Sequence, residues 1–365
     1  MDLAFLHPLY EHPGPWASVY VDLSRHTEDT PHERHLTAEA MSRELAGQGA
    51  DEATCTAVRD AIEELKHSPE PHGRALFARA GQVVLDPPLA RAPQGGGWAR
   101  WAPLPRATPL LDLTGEDAVA VVAYVDRRGA DFELRSALVR EKAGSVAGRQ
   151  WPVHRTSSVD WSERHFQLRV ENTWEHNAAE IADALAVCQE ETLADLLILV
   201  GEDREQRAVH ERLPQRLHDR VVQAPHGTGS RLLDTDVEEA RATHVRRRAE
   251  AELERFLAAR AQAAEGVPAV IEAAREHRID ELVVRPDGPD TYREVWIGED
   301  PDQLAVRRTD LKILGEQHSW SARADDALIR SAVATAAPAI SLTPAEAARE
   351  QDVPAGGLGA LLRWT

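Results

Sequence analysis

The sequence predicts a mixed α/β fold, α+β in its multidomain layout, built as three domains. Three observations carry that prediction. The chain has 365 residues, a length that favours two or three domains over one. Strand-like and helix-like stretches come in three successive groups, each with its own apolar strands. A proline-rich passage at residues 103–109 and a glycine-rich one at 226–229 separate the groups. The expected domains are therefore residues 1–115, 116–225 and 226–365, the last an α/β layered domain.

The first domain opens on residues 17–22 (ASVYVD), which alternate and are β-rich, so they predict a strand. A polar, His-rich loop covers 24–32, and helices are expected at 33–46 and 51–66 around the turn Gly47-Gln48-Gly49-Ala50. Asp51 is the expected N-cap of the second helix, because its carboxylate can accept from the first turn's free N–H groups. Short strands at 75–78 and 82–86 follow, joined at Ala80-Gly81. Residues 87–97 read as a loop. Gly95-Gly96-Gly97 lacks the Lys-Ser/Thr of a phosphate-binding loop and reads as permissive backbone.

The second domain starts with the apolar strand 119–126 (VAVVAYVD), a turn at Arg127-Arg128-Gly129-Ala130, a strand at 131–135 and a third at 137–140. A long loop is expected over 142–160. Beyond it Phe166, Val170, Trp174, Asn177, Ile181, Leu185 and Cys188 recur every three or four residues, the mark of an amphipathic helix capped at Ser162 and ending near Glu191. A buried strand at 196–200 (LLILV), a helix at 205–218 and a strand at 221–222 close the unit, an order that argues for α/β layering. In the third domain helices are expected at 234–264, 267–277 and 327–336. Strands are expected at 281–285, 293–298, 339–342 and 361–364.

Composition bounds the function classes. Hydrophobic residues make up 42% of the chain and aromatic ones 5%, so the cores should be mostly Leu, Val and Ala. No run approaches 18 apolar residues, and residues 1–10 lack the basic-then-apolar pattern of a signal peptide. A soluble, cytoplasmic protein with no membrane partner is the expectation. Cys55 and Cys188 show no metal-ligand or redox spacing and read as small core residues. No cofactor and no metal are expected. The net charge of −19 disfavours indiscriminate phosphate binding. Of the 42 basic residues only Lys66, Lys142 and Lys312 are lysines, and arginines can grip phosphate bidentately where they cluster.

The chain's last segment, Gly356-Gly357-Leu358-Gly359-Ala360-Leu361-Leu362-Arg363-Trp364, resembles the Gly-Gly-Ile-Gly-x-Ile-Leu-Arg-Tyr closing segment of archaeal and eukaryotic class-1 release factors and Pelota. Gly266-Val267 and the helix leading to Glu281-Leu282-Val283-Val284 resemble the start of the same domain in that family. Arg169-Val170-Glu171 and His176-Asn177 resemble its Arg-x-Glu and His-Asn pattern. In domain order, over nearly the whole chain, the sequence is similar to the bacterial branch of the family. That branch includes the ribosome hibernation factor Balon, and a related one is the ankyrin-and-zinc-finger-type peptidyl-tRNA hydrolases. The resemblance implies three domains in release-factor order, the last of kink-turn-binding type. It also implies a monomer that docks in the ribosomal A site on ribosomal RNA, with elongation factor Tu as a candidate escort.

Two family motifs are missing. Release factors carry Gly-Gly-Gln directly before the long helix, where this chain has Thr156-Ser157-Ser158-Val159-Asp160-Trp161. Gly148-Arg149-Gln150 is the one substitute, but it lies too far before the helix and Arg149 replaces the second glycine. No catalytic residue is assigned on this reading, Gln150 being the single candidate. The family's Asn-Ile-Lys-Ser codon-reading loop has Gly47-Gln48-Gly49-Ala50-Asp51 in its place, which argues against stop-codon reading. The implied function is an A-site factor of ribosome hibernation or rescue under stress. The alternative is a peptidyl-tRNA hydrolase with a substitute loop.

The long loop has a chemical bias of its own. From Lys142 to Val159 there is no acidic residue, while Lys142, Arg149, His154 and Arg155 are present. In so acidic a chain that window is a candidate phosphate-facing surface. Trp151 and Trp161 are candidate stacking platforms for exposed bases, and Gln150 completes the expected RNA-contact set. The bland alternative is an exposed loop whose tryptophans fold back on the domain. His154, Asp160 and His165 lie close in sequence without a nucleophile in a strained elbow. His176 and Glu180 read as a polar i,i+4 pair, and His244-Val245-Arg246-Arg247-Arg248 as a solvated helix face paired with Glu250 and Glu254.

Overall fold

The computed structural model describes residues 1–11, 14–23, 30–65, 72–114, 118–126, 129–136, 140–147, 174–227, 229–313, 315–316, 318–342 and 353–364. It is a mixed α/β fold. By compactness it falls into two units, residues 1–116 with 248–365, and residues 117–247.

In the first 116 residues, strands β1 (Trp16–Asp22), β2 (Gly73–Arg79), β3 (Gln82–Leu85), β4 (Pro88–Leu89) and β5 (Gly97–Ala102) form one sheet, ordered β3-β2-β1-β5 with β4 beside β2. The period of two sorts β1 between two cores. Ala17, Val19 and Val21 meet Ala38, Met41 and Leu45 of helix α1 (Thr30–Gly47) and Val58 and Ile62 of helix α2 (Glu52–Glu64). Trp16 and Tyr20 face the other way, with Phe77 and with Leu6 and Leu9 of the N-terminal 3₁₀ turn. Burial of each such leucine contributes about 2 kcal/mol. Asp51 caps α2, accepting from Thr54 N at 2.9 Å.

Strand β5 begins on the last residue of the expected 87–97 loop and runs through residues to which the sequence assigns no element. Its Trp-Ala-Arg-Trp stretch carries no clean alternation, and it is recruited by pairing with β1. A Cβ at Gly97, whose φ is +115°, would lie 2.5 Å from the Tyr20 carbonyl oxygen, so this glycine permits the pairing. The four-residue helix α3 (Leu110–Leu113) ends the segment.

In the second unit, β6 (Ala120–Asp126), β7 (Gly129–Arg135) and β8 (Arg140–Ala147) precede α4 (Trp174–Thr192). β9 (Leu196–Val200), α5 (Asp203–His210), β10 (Val221–Gln223) and α6 (Leu233–Ala258) follow, the division between units falling within α6. The sheet order is β10-β9-β6-β7-β8, with β9 parallel to β6 and β10 and the β6-β7-β8 meander antiparallel. Val121, Ala123, Val125 and Phe132 pack under Ala178, Ile181, Leu185 and Cys188 of α4, the last three belonging to the stripe the sequence periodicity predicts. Ala120, Val122 and Ile198 meet Leu233 and Val237 of α6 on the opposite face. The helix expected over 205–218 is shorter. Pro214 has no N–H to continue it, and a 3₁₀ turn, Gln215–Arg220, replaces its second half.

The remaining segment contains β11 (Ala264–Glu265), α7 (Gly266–Arg275), β12 (Ile279–Val284), β13 (Glu294–Ile297), β14 (Leu304–Ala305) and α8 (Arg308–Ile313). It closes with β15 (Trp320–Arg323), α9 (Ala324–Ala334), β16 (Ala339–Ser341) and β17 (Leu358–Leu362). One sheet runs β11-β17-β12-β16 and a second β14-β13-β15. Leu282, Val284, Leu358 and Ala360 pack on the side of α7 and α9, while Val283, Ile340 and Leu361 cover Leu253 and Phe256 of α6, giving three layers. The Gly356-Gly357 pair takes left-handed φ of +67° and +87°. There the Gly357 Cα lies close against Gly288, and its carbonyl accepts from Arg285 N at 2.8 Å. A side chain at Gly357 would put its Cβ 2.7 Å from Gly288 Cα.

The N-terminal segment packs directly on this one. The Met1 ammonium donates to Ala339 O at 2.7 Å, and Ala339 N donates to Met1 O at 3.1 Å. Each described sheet stays within one of the three sequence segments.

Candidate nucleic-acid interface

The acid-free window begins on a strand. Residues 142–147, expected as loop, belong to β8, where Lys142 stands opposite Glu133 of β7 and is exposed. The sequence Arg-Glu-Lys-Ala-Gly-Ser-Val-Ala lacks the alternation that marks a half-buried strand. An edge strand draws its order from its single neighbour instead, here β7. Lys142 also acts on Asp131: burial pushes that carboxyl up, and the lysine's charge pulls it back down. Of the predicted RNA contacts, Arg149, Gln150, Trp151, His154, Arg155 and Trp161 lie outside the described residues, as do Asp160, His165 and the side chain of His176. The described frame of the window is thus β8 before it and α4 after it. α4 packs against β7 and β8, with Cys188 Sγ 4.0 Å from Ala143 O.

A buried polar network holds that frame. Glu133 and Arg135 project from β7 toward α6, a face that alternation assigns to solvent but α6 covers. Arg135 Nε donates to Glu133 Oε1 at 2.7 Å, and its Nη1 donates to Asp234 Oδ1 of α6 at 2.6 Å. Tyr124 OH donates to Glu133 Oε2 at 2.9 Å and accepts from Arg135 Nη2 at 3.1 Å. Arg140, the first residue of β8, donates from Nε to Glu133 Oε1 at 2.5 Å. Glu133 is 3% and Arg135 4% exposed, so each charge depends on the other for the hydration it has lost. Burial, then the Glu133 charge, raises the Tyr124 hydroxyl, keeping it neutral and donating. The hydrogen bond from Arg135 lowers the Asp234 carboxyl. Sequence reasoning missed this set. The available signal was the acidic, acidic, basic series at Asp131, Glu133 and Arg135 on alternate positions of an otherwise apolar strand.

A second charge cluster lies in the other unit. Arg106 Nη1 donates to Asp325 Oδ2 at 2.8 Å and Asp326 Oδ1 at 2.9 Å. Both aspartates are in the first turn of α9, and Arg323 Nη2 reaches Asp325 Oδ2 at 2.9 Å. Thr108 Oγ1 donates to Asp326 Oδ1 at 3.2 Å. Burial, then the Asp325 charge, pushes the Asp326 carboxyl up to about 7, against Arg106 and Arg323. A cleft of about 560 Å³ beside it is lined by Trp98, Arg100, Arg106 and Arg323. The cluster joins distant parts of the chain, and nothing local in the sequence marks it.

Among the described residues no group of three or more His, Cys, Asp or Glu side chains is placed to hold a metal. Cys55 and Cys188 are free and buried, and burial pushes the Cys188 thiol up to about 11. On α6, Arg248 pairs with Glu252 at 3.3 Å, one turn on. No helix among the described residues is long and apolar enough to cross a membrane.

The described residues make a mixed α/β protein in which, along the sequence, the basic, acid-free segment starts within β8 and is followed by α4. Residues 119–262, from the start of β6 to just beyond α6, match the model of bacterial archaeo-eukaryotic release factor family 2. Along nearly the whole chain, the sequence is 29% identical to the uncharacterized protein Rv2629 of Mycobacterium tuberculosis (strain H37Rv), over 96% of this chain and 94% of that one. Among solved structures it is similar to Archaeoglobus fulgidus Pelota, with a TM-score of 0.37 and 14% identity over 100% of this chain and 92% of that one. Similar too is an archaeal Pelota in a ribosome-bound model, with a TM-score of 0.41 and 12% identity over 99% and 94%. At these scores neither structure bears on the function.

Proposed function

We propose that this protein is a translation factor that occupies the ribosomal A site, with the 142–161 segment turned toward the peptidyl-transferase centre, and that it acts in ribosome hibernation or rescue without hydrolysing peptidyl-tRNA. The observation that carries the reading is the family-model match over 119–262, which takes in the whole acid-free basic window. A net charge of −19 disfavours indiscriminate binding to RNA. A local basic segment with two tryptophans would favour RNA there, by phosphate contact and base stacking. The missing Gly-Gly-Gln favours occupancy over peptide release. The buried Tyr124–Glu133–Arg135 network supports the reading by giving the segment a rigid base on β7 and β8. The division into residues 1–115, 116–225 and 226–365 belongs to the same proposal, as do elongation factor Tu as escort and a monomeric state. Cosedimentation with purified ribosomes, followed by imaging of the bound particle, tests it. Density in the A site is the expected result, and failure to cosediment at low salt would defeat it.

A further inference from the structure

A pocket of about 220 Å³ opens in the unit formed by residues 1–116 and 248–365, away from the 142–161 segment in sequence. Its wall is apolar: Leu9 and Trp16 from the N-terminal segment and Ile297 from β13, with Trp320 at 40% exposure offering an indole to solvent. Two polar groups interrupt that wall, Tyr10 and Arg330. The Tyr10 hydroxyl is buried and has no hydrogen-bond partner among the described residues, an unfavourable arrangement unless something else accepts from it. Burial raises its pKa well above the ordinary value, so it remains a neutral donor.

Arg330 is 6% exposed and donates from Nη1 to Gly298 O at 3.0 Å and from Nη2 to Glu299 O. Those bonds use two of a guanidinium's five N–H donors. Among the described residues no carboxylate pairs with it within 4 Å. Asp300 and Asp302, the acids whose fields reach it, are exposed. Asp325 and Asp326, which act on Tyr10, are already engaged by Arg106. A buried cation with spare donors, beside a hydroxyl with no acceptor, in an aromatic-walled pocket, is chemically complementary to an acid on a flat ring. The small volume excludes anything much beyond one ring and a short acid arm.

We propose that this pocket binds a small aromatic carboxylate, with its ring against Trp16, Leu9 and Ile297 and its carboxylate accepting from Arg330 and Tyr10. The full-length protein is titrated with phenylacetate, phenylacetamide and acetate by calorimetry and by quenching of tryptophan fluorescence. Saturable phenylacetate binding is expected, with the amide and acetate each about tenfold weaker or more, as loss of a charged hydrogen bond or of the ring contact requires. Tyr10→Phe removes one oxygen without emptying the pocket. It should weaken phenylacetate about tenfold while the melting temperature holds or rises. Arg330→Met should weaken it further, and Ile297→Trp, which fills the pocket, should abolish it. Absence of saturable phenylacetate binding overturns the proposal. So does equal binding of acid and amide, or a Tyr10→Phe variant that is well folded and binds phenylacetate as the parent does.

Discussion

Arg106 Nη1 lies 2.8 Å from Asp325 Oδ2, although 219 residues separate the two in sequence. Asp325 is fully buried, and the same arginine nitrogen serves Asp326. Removing Arg106 therefore leaves two buried acids with Arg323 as their remaining close cation. Arg106→Met should destabilise the protein by about 3–5 kcal/mol at neutral pH, the range for breaking a buried pair from one side. Denaturant unfolding measures it, and a loss below about 1 kcal/mol would show that the cluster does not hold the two segments together.

The Asp326 carboxyl predicts a pH dependence. Its folded pKa of about 7 stands above the ordinary 3.8, so between those values the folded chain keeps a proton that the unfolded chain has released. Stability contributed through this group is present below about pH 4, declines as pH rises toward 7, and is flat above that. Asp326→Asn cannot ionise and should remove the slope. Urea unfolding at pH 5 and at pH 7.5 compares the two proteins, and parallel changes in both would refute the assignment.

Glu133 is the hub of the network beneath β8. Glu133→Gln strips the charge that compensates Arg135 and should cost about 3 kcal/mol or more, whereas Tyr124→Phe should cost about 1 kcal/mol. Amide hydrogen exchange over residues 140–145 should quicken in Glu133→Gln. Unchanged protection there would mean that Arg140 and the ladder to β7 hold the strand without the glutamate.

Arg149 and Arg155 supply most of the proposed phosphate contact. Replacing both with Glu should reduce ribosome cosedimentation at about 0.1 M salt by an order of magnitude and make the remaining binding less dependent on salt, since fewer counterions are released. A double variant that cosediments like the parent would remove this segment as the contact.

Peptidyl-tRNA hydrolysis should stay near its spontaneous rate in the presence of the purified protein. Release needs a backbone that can press against the tRNA 3′ end and a side chain that orders water there. Thr156 to Trp161 contain no glycine and no glutamine. Release of labelled peptide from ribosome-bound peptidyl-tRNA is the assay, run beside Gln150→Ala. Activity well above background that disappears in that variant would make Gln150 catalytic and reverse this reading.

Several elements could be read directly from the chain. The alternation in residues 17–22, the apolar run at 196–200, the Asp51 cap and the stripe through Ile181, Leu185 and Cys188 all coincide with structure. Each reports a local choice of which face to bury, and periodicity records that choice. In the candidate interface, the acid-free window is equally plain in sequence, because composition needs no partner to be seen. Strands β5 and β8 were not legible, since each takes its order from one neighbouring strand rather than from its own pattern.

By itself, then, the sequence determined the mixed α/β class, the order of most elements, the acidic body with its basic segment, and the absence of Gly-Gly-Gln. Only the tertiary structure decided that Arg106 meets Asp325 and Asp326, that α6 covers Glu133 and Arg135, and that Tyr10 and Arg330 share an apolar pocket. The reason is physical. Hydrophobic burial is written into the spacing of neighbouring residues. A buried charge becomes tolerable only through partners brought from elsewhere in the chain, and short-range spacing holds no record of them.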